Sequence, residues 1–90
     1  MAKVIIQKLS EAEIKERNIK KWPIWKKGVS RFEHVYDGDE ECLFLEGEVI
    51  IETKEGNYSI VPGDFVIFED GLECVWDIQK PVKKHYNFPS

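Results

Sequence analysis

The stretch Glu40-Glu41-Cys42-Leu43-Phe44-Leu45-Glu46-Gly47-Glu48-Val49-Ile50-Ile51 restricts what this chain can fold into more than any other. In an extended strand successive side chains point to opposite faces. Cys42 and Phe44 therefore share a face with Glu40, while Leu43 and Leu45 occupy the other. A strand that is apolar on both faces is covered on both faces. One cover is the core; the other is a helix or a partner subunit. Glu40 opens this strand and points the same way as core residues, which is costly unless the carboxylate is paired, ligated or in a wet cavity. Gly47 is expected to bend the chain directly into a second strand over Val49–Thr53.

The rest of the chain repeats this pattern of short strands and turns. Lys3 to Leu9 reads as an edge strand. Ser10 and Glu13 form a capping box that opens a short helix, ending near Arg17 with Asn18 as a left-handed stop. Its apolar anchors are Ala12 and Ile14 alone, so tertiary contacts must hold it. Pro23, within Trp22-Pro23-Ile24-Trp25, excludes a central strand there. The two indoles either cap a core or wall a ligand site. A strand over Gly28–Tyr36 places Phe32, His34 and Tyr36 on one face. Lys54-Glu55-Gly56-Asn57 is a hairpin signal, and Pro62-Gly63-Asp64 suits a type II turn. Phe65–Phe68 is again apolar on both faces. From Glu73 to Gln79, Cys74, Trp76 and Ile78 share a face; Pro81 limits pairing at the start of a last strand whose Lys84, Tyr86 and Phe88 share another.

Several short strands divided by turns indicate an all-β sandwich or barrel. Ninety residues suffice for one small domain, 1–90, with a single core. A net charge of −4 argues against nucleic-acid and membrane partners. No apolar run approaches the ~20 residues of a spanning helix, and the N-terminus lacks the pattern of a signal peptide. Two cysteines, Cys42 and Cys74, make no disulfide framework and suit a reducing, cytoplasmic location.

Residues 28–88 resemble the cupin family, with the N-terminal strand and helix of 1–27 preceding them. Glu40 and Gly47 have the Glu-to-Gly spacing of the first cupin motif; His34 falls at its first His and Tyr36 at its second. Pro62-Gly63-Asp64 and Glu69-Asp70-Gly71 stand for the turns of the second motif, and Cys74 occupies its His. The resemblance implies a small conical β-barrel of jelly-roll topology. The chain is similar to short single-domain relatives of the ureidoglycine-aminohydrolase branch, whose namesake is a manganese enzyme, and to the ethanolamine-utilisation Q proteins, where histidines are likewise depleted. Cys74-Val75-Trp76 and Lys84-His85-Tyr86 match patterns that recur there.

Taken with the resemblance, the inward set is Phe32, His34, Tyr36, Glu40, Cys42, Phe44, Cys74, Trp76, Lys84 and Tyr86. Apolar walls with convergent polar groups are the usual make-up of a small-molecule pocket. Each polar member has two readings. His34 is a ligand through neutral imidazole or a hydrogen-bonded core residue. Glu40 is a metal ligand or general base, or the salt-bridge partner of Lys84. Cys74 is a thiolate ligand or nucleophile, or a small buried hydrophobe. Lys84 is a reactive amine if desolvated. Tyr36 and Tyr86 orient a substrate or only pack, and Trp76, Phe32 and Trp25 wall the pocket or fill the core. His34, Glu40 and Cys74 together would supply three ligands of mixed softness to a divalent transition metal. The expected function is a small cupin enzyme acting on a small polar metabolite; the alternatives are non-catalytic binding of a sugar or carboxylate, or an assembly domain. A homodimer is expected, with Leu43, Leu45, Val66 and Phe68 as its outward apolar set.

Overall fold

The structure, a computed structural model, describes residues 2–89. Among these residues the elements are β1 (Val4–Lys8), α1 (Glu11–Glu16), a 3₁₀ turn (Ile19–Lys21), β2 (Ile24–Lys27), β3 (Ser30–Val35), β4 (Glu40–Thr53), β5 (Gly56–Ile60), β6 (Asp64–Phe68) and β7 (Glu73–Asn87). All strand pairings are antiparallel, in the order β1-β6-β4-β7-β2, with β3 also on β7 and β5 also on β4. The expected all-β chain with one short helix is present. Its hydrogen-bonded path has open ends at β1 and β2 rather than a closed ring.

Two long strands, β4 and β7, form the spine. The sequence divided each of them, at Gly47 and at Pro81, yet both run through. The pairing is irregular between Phe44 and Val49, with shifts in register on either side of Gly47. Pro81 falls opposite this interruption, where its missing N–H removes no regular ladder bond. Gly47 has φ 97°, and a Cβ there would run into the Pro81 carbonyl oxygen and sit 2.8 Å from that of Lys80. The two strands thus bend together.

The inner face gathers Val4, Cys42, Phe44, Val49, Ile51, Ile60, Val66, Phe68, Cys74, Trp76 and Ile78 into one cluster. On the outer face Ile19, Leu43 and Phe65 form a second buried group, flanked by Leu9, Ile14, Trp22, Leu45 and Ile67. The second cover predicted for the two-sided strands is therefore the chain's own N-terminal segment. Ser10 accepts from the Glu13 N–H and Glu13 accepts from the Ser10 N–H, so the capping box forms as read. Asn18 follows with φ 55°, turning the chain so that Ile19 is fully buried. That burial is worth about 1.5–3 kcal/mol.

This corrects the expected outward set. Val66 and Phe68 lie inside, and Leu43 is buried beside Ile19. Counting alternation within β6 does not say which of its faces aligns with β4. The register does: Cys42 pairs with Val66, and Leu43 with Phe65. Of the expected outward set, Leu45 alone stays partly exposed, beside the chain's own N-terminal segment.

Replacing Gly47 by Ala should destabilise the fold by about 1–3 kcal/mol, the cost of forcing a side chain into this backbone conformation. Gly28→Ala, where a Cβ meets nothing within 4 Å, should be close to neutral. Urea unfolding of both variants reads the difference, and equal midpoints would remove the Gly47–Pro81 constraint.

Candidate functional site

Lys84 lies on β7 with Phe44 opposite it on β4. Its side chain reaches past Cys42 to Glu40, at the start of β4. Nζ donates to Glu40 Oε2 at 2.9 Å and approaches Cys42 Sγ at 3.2 Å; Sγ in turn donates to the same carboxylate oxygen at 3.3 Å. Both charged side chains are almost wholly buried, at 5% exposure for Lys84 and 10% for Glu40. Four aromatic rings surround the ammonium: Trp76 at 4.8 Å, Trp25 at 4.9 Å, Phe44 at 5.8 Å and Phe68 at 6.0 Å to their centroids. Ring faces attract a cation more strongly where water is excluded. Burial pushes the Cys42 thiol well above its ordinary pKa; the Lys84 charge opposes this only in part. Cys42 is therefore a neutral thiol beside the ion pair.

This pair lies at the inner end of a cavity of about 290 Å³. Trp25, Phe32, Trp76, Tyr86 and Phe88 supply apolar lining; Glu40, Lys84, Tyr36 and His34 supply polar groups. Trp76 anchors the wall, stacked near-parallel with Phe32 at 6.0 Å and edge-on to Trp25 at 5.7 Å. Tyr36 is buried, stacked on Phe68 at 4.8 Å, and its hydroxyl accepts the Trp76 indole N–H at 3.1 Å. Burial first, and then the nearby Glu40 charge, push its phenol pKa up. Its hydroxyl thus keeps its proton and remains a donor. His34 is exposed at the rim, its ring edge-on to Tyr36 at 4.4 Å. Among the described residues Glu40 Oε1 has no hydrogen-bond partner, and no sealed polar side-chain atom goes without one. Oε1 is therefore open to the cavity.

Nearly all of the candidate residues converge on this space: Trp25, Phe32, His34, Tyr36, Glu40, Trp76, Lys84 and Tyr86. Cys74 does not. It pairs across with His34 on β3, its thiol donates to the His34 carbonyl at 3.6 Å, and it borders a separate surface hollow with Thr53 and Glu73. Burial pushes its pKa up to about 11, so it is a neutral thiol near pH 7. Among the described residues no three of His, Cys, Asp and Glu gather as a metal-binding group. The trio of His34, Glu40 and Cys74 does not fit a bound metal ion: Cys74 is turned to a backbone carbonyl, and a lysine ammonium holds the Glu40 oxygen. Two further residues belong to the site: Cys42, placed in the inward set but given no role there, and Phe88, which was outside that set. Cys42 bridges the ion pair, a placement signalled by its position two residues from Glu40 on one strand face. Phe88 extends the face of Lys84 and Tyr86 to the rim.

The EutQ-like cupin domain model matches residues 14–86 of this chain. Among solved structures the chain is similar to a DUF861 family protein from Thermotoga maritima, with 45% sequence identity and a TM-score of 0.93 over 97% of this chain and 100% of that one. No curated protein matches the sequence.

Lys84→Met leaves Glu40 buried without its counter-charge and should cost about 3–5 kcal/mol. Adding Glu40→Gln should restore much of that loss, since no unpaired charge then remains; a double variant no more stable than the single one would mean that the two charges are not coupled. For Cys74, alkylation by iodoacetamide should be slow at neutral pH and rise about tenfold per pH unit towards a pKa of about 11. A rate already levelling near pH 8 would contradict the buried thiol.

Proposed function

Given that this chain belongs to the EutQ-like cupin family, we propose that it is a small cupin enzyme acting on a small polar metabolite held in the aromatic-lined cavity, with Glu40 as general base. The sheet then serves as a conical jelly-roll barrel with the cavity at its mouth. The observation that carries this reading is a buried Glu40–Lys84 pair at the inner end of a cavity otherwise walled by aromatic rings. Apolar walls supply contact area, and a few fixed polar groups set orientation. At about 290 Å³ the cavity is near the lower bound of metabolite sites, so the substrate is small.

Lys84 and Cys42 hold Glu40 through Oε2 and leave Oε1 to accept a proton from the substrate. A base held in one rotamer by a second hydrogen bond loses little freedom when it acts. The Tyr36 hydroxyl donates to the oxygen on which negative charge develops. His34 contacts the outer part of the substrate. A non-catalytic site is the second reading, favoured by the charge balance of the Glu40–Lys84 pair, which lets the cavity accept a neutral ligand with no proton transfer.

A metabolite panel read by thermal melting identifies ligands, because anything bound by the folded state alone raises the melting temperature. Product analysis of each ligand then separates the readings. The enzyme reading expects turnover by the natural protein and a loss of roughly 10²-fold or more in Glu40→Gln, with the ligand-induced shift retained. Full turnover in Glu40→Gln rejects the role of Glu40. Stabilisation by a ligand that emerges unchanged selects the binding reading.

A further inference from the structure

We propose that Lys84 is a covalent nucleophile, whose amine condenses with the aldehyde or ketone group of a small substrate to form an imine inside the cavity. This inference rests on the cavity being a ligand site and names the substrate class: a small carbonyl compound bearing a hydrogen on the carbon beside it.

Four observations lead there. Lys84 is the most buried lysine among those described, at 4% exposure, yet it lines the cavity. All the other lysines are exposed or half-exposed. Its Nζ sits among four aromatic rings within 6.0 Å, an enclosure that keeps bulk water from an imine and leaves the amine little solvated. A proton acceptor, Glu40 Oε2, is hydrogen-bonded to it at 2.9 Å, within reach for direct transfer. Cys42, the competing nucleophile at 3.2 Å from Nζ, is held as a neutral thiol by burial.

The steps balance without any oxidant or reductant. Nζ passes a proton to Glu40 Oε2. The freed nitrogen lone pair forms a bond to the carbonyl carbon while the carbon–oxygen π pair moves to oxygen, which takes a proton back from Glu40. The nitrogen pair then expels that oxygen as water, using one proton from nitrogen relayed through Glu40. The sum is an ammonium plus a carbonyl giving a protonated imine plus water. Positive charge on nitrogen is conserved, so the carboxylate beside it keeps its counter-ion at the end of the reaction. The protonated imine withdraws electrons from the adjacent carbon, and Glu40 Oε1 removes a proton there. That step makes the general base and the amine two parts of one reaction.

Pyruvate, acetaldehyde and propanal are each incubated with the natural protein and sodium cyanoborohydride near pH 7, and the lysines are mapped by peptide mass spectrometry. Selective reduction at Lys84, at least tenfold above any other lysine, is expected with one or more of these probes. Lys84→Arg keeps a cation opposite Glu40 and should give no adduct at this position, while Glu40→Gln should slow trapping by roughly 10²-fold. Adducts that follow exposure, with Lys84 the least modified, overturn the proposal. Melting shifts with pyruvate and with lactate, which has the same skeleton but no ketone, separate the two readings. Shifts from both without an adduct leave the cavity a ligand site and reject the imine; neither shift nor adduct for any probe rejects small carbonyl ligands and the imine together.

Discussion

Taking an ammonium and a carboxylate out of water costs several kcal/mol for each ion, and their attraction offsets this only in good geometry. The Lys84–Glu40 pair therefore places demands on everything around it. Its partners come from the two spine strands, and the long lysine side chain runs along β4 from its position opposite Phe44 to the beginning of that strand. A slip of one residue between β4 and β7 would exchange inner for outer faces. Lys84 would then face outward and His85 would enter the aromatic cage. Two features oppose the slip. Gly47 and Pro81 meet at the bend, where only a residue without Cβ fits. On the outer face, buried His85 donates through Nδ1 to the Trp22 carbonyl at 2.9 Å; a carbonyl only accepts, so that nitrogen carries the proton.

The same outer contact ties the covering segment to the site. The 3₁₀ turn that buries Ile19 against Leu43 and Phe65 is followed within a few residues by β2, which pairs with β7 and places Trp25 opposite Lys84. The Tyr86 N–H donates to the Pro23 carbonyl at 3.0 Å, fixing the approach to β2. Cover and cavity wall are thus parts of one continuous segment. Loosening the outer packing would move Trp25, and with it one face of the cage around the ammonium.

Much of this was legible from alternation alone, because a strand's side-chain period of two is a property of the backbone. Phe32, His34 and Tyr36 were grouped correctly, as were Glu40, Cys42 and Phe44, and Lys84, Tyr86 and Phe88. Alternation does not give the relation between strands. It could not bring Glu40 and Lys84, 44 residues apart, into contact, and it assigned Val66 and Phe68 to the wrong face. Cys74 shows a second limit. Its strand face is the inner one, but its height along β7 is that of the His34 backbone, so its thiol meets a carbonyl outside the cavity. The breaks inferred at Gly47 and Pro81 failed for a related reason: each residue disrupts a regular ladder by itself, whereas placed opposite one another they share one irregularity.

The pair and its surroundings are not what stability alone would select. Replacing a buried ion pair by well-packed apolar side chains of similar volume is often neutral or stabilising, and the cage of Trp25, Phe44, Phe68 and Trp76 would accept a methionine readily. Nor does the cavity collapse: Phe88 remains 60% exposed at its rim, a large ring left in contact with water. Phe88 and His34 stand at the mouth, aromatic walls lie below them and a charged pair closes the inner end, a gradient from mainly apolar walls to two charges along one path. A small molecule with an apolar body and a polar end fits that gradient in one direction only, bringing its polar end to Lys84 and Glu40. The orientation follows from solvation, since the reverse arrangement would bury an apolar group against two charges and leave the rings uncovered.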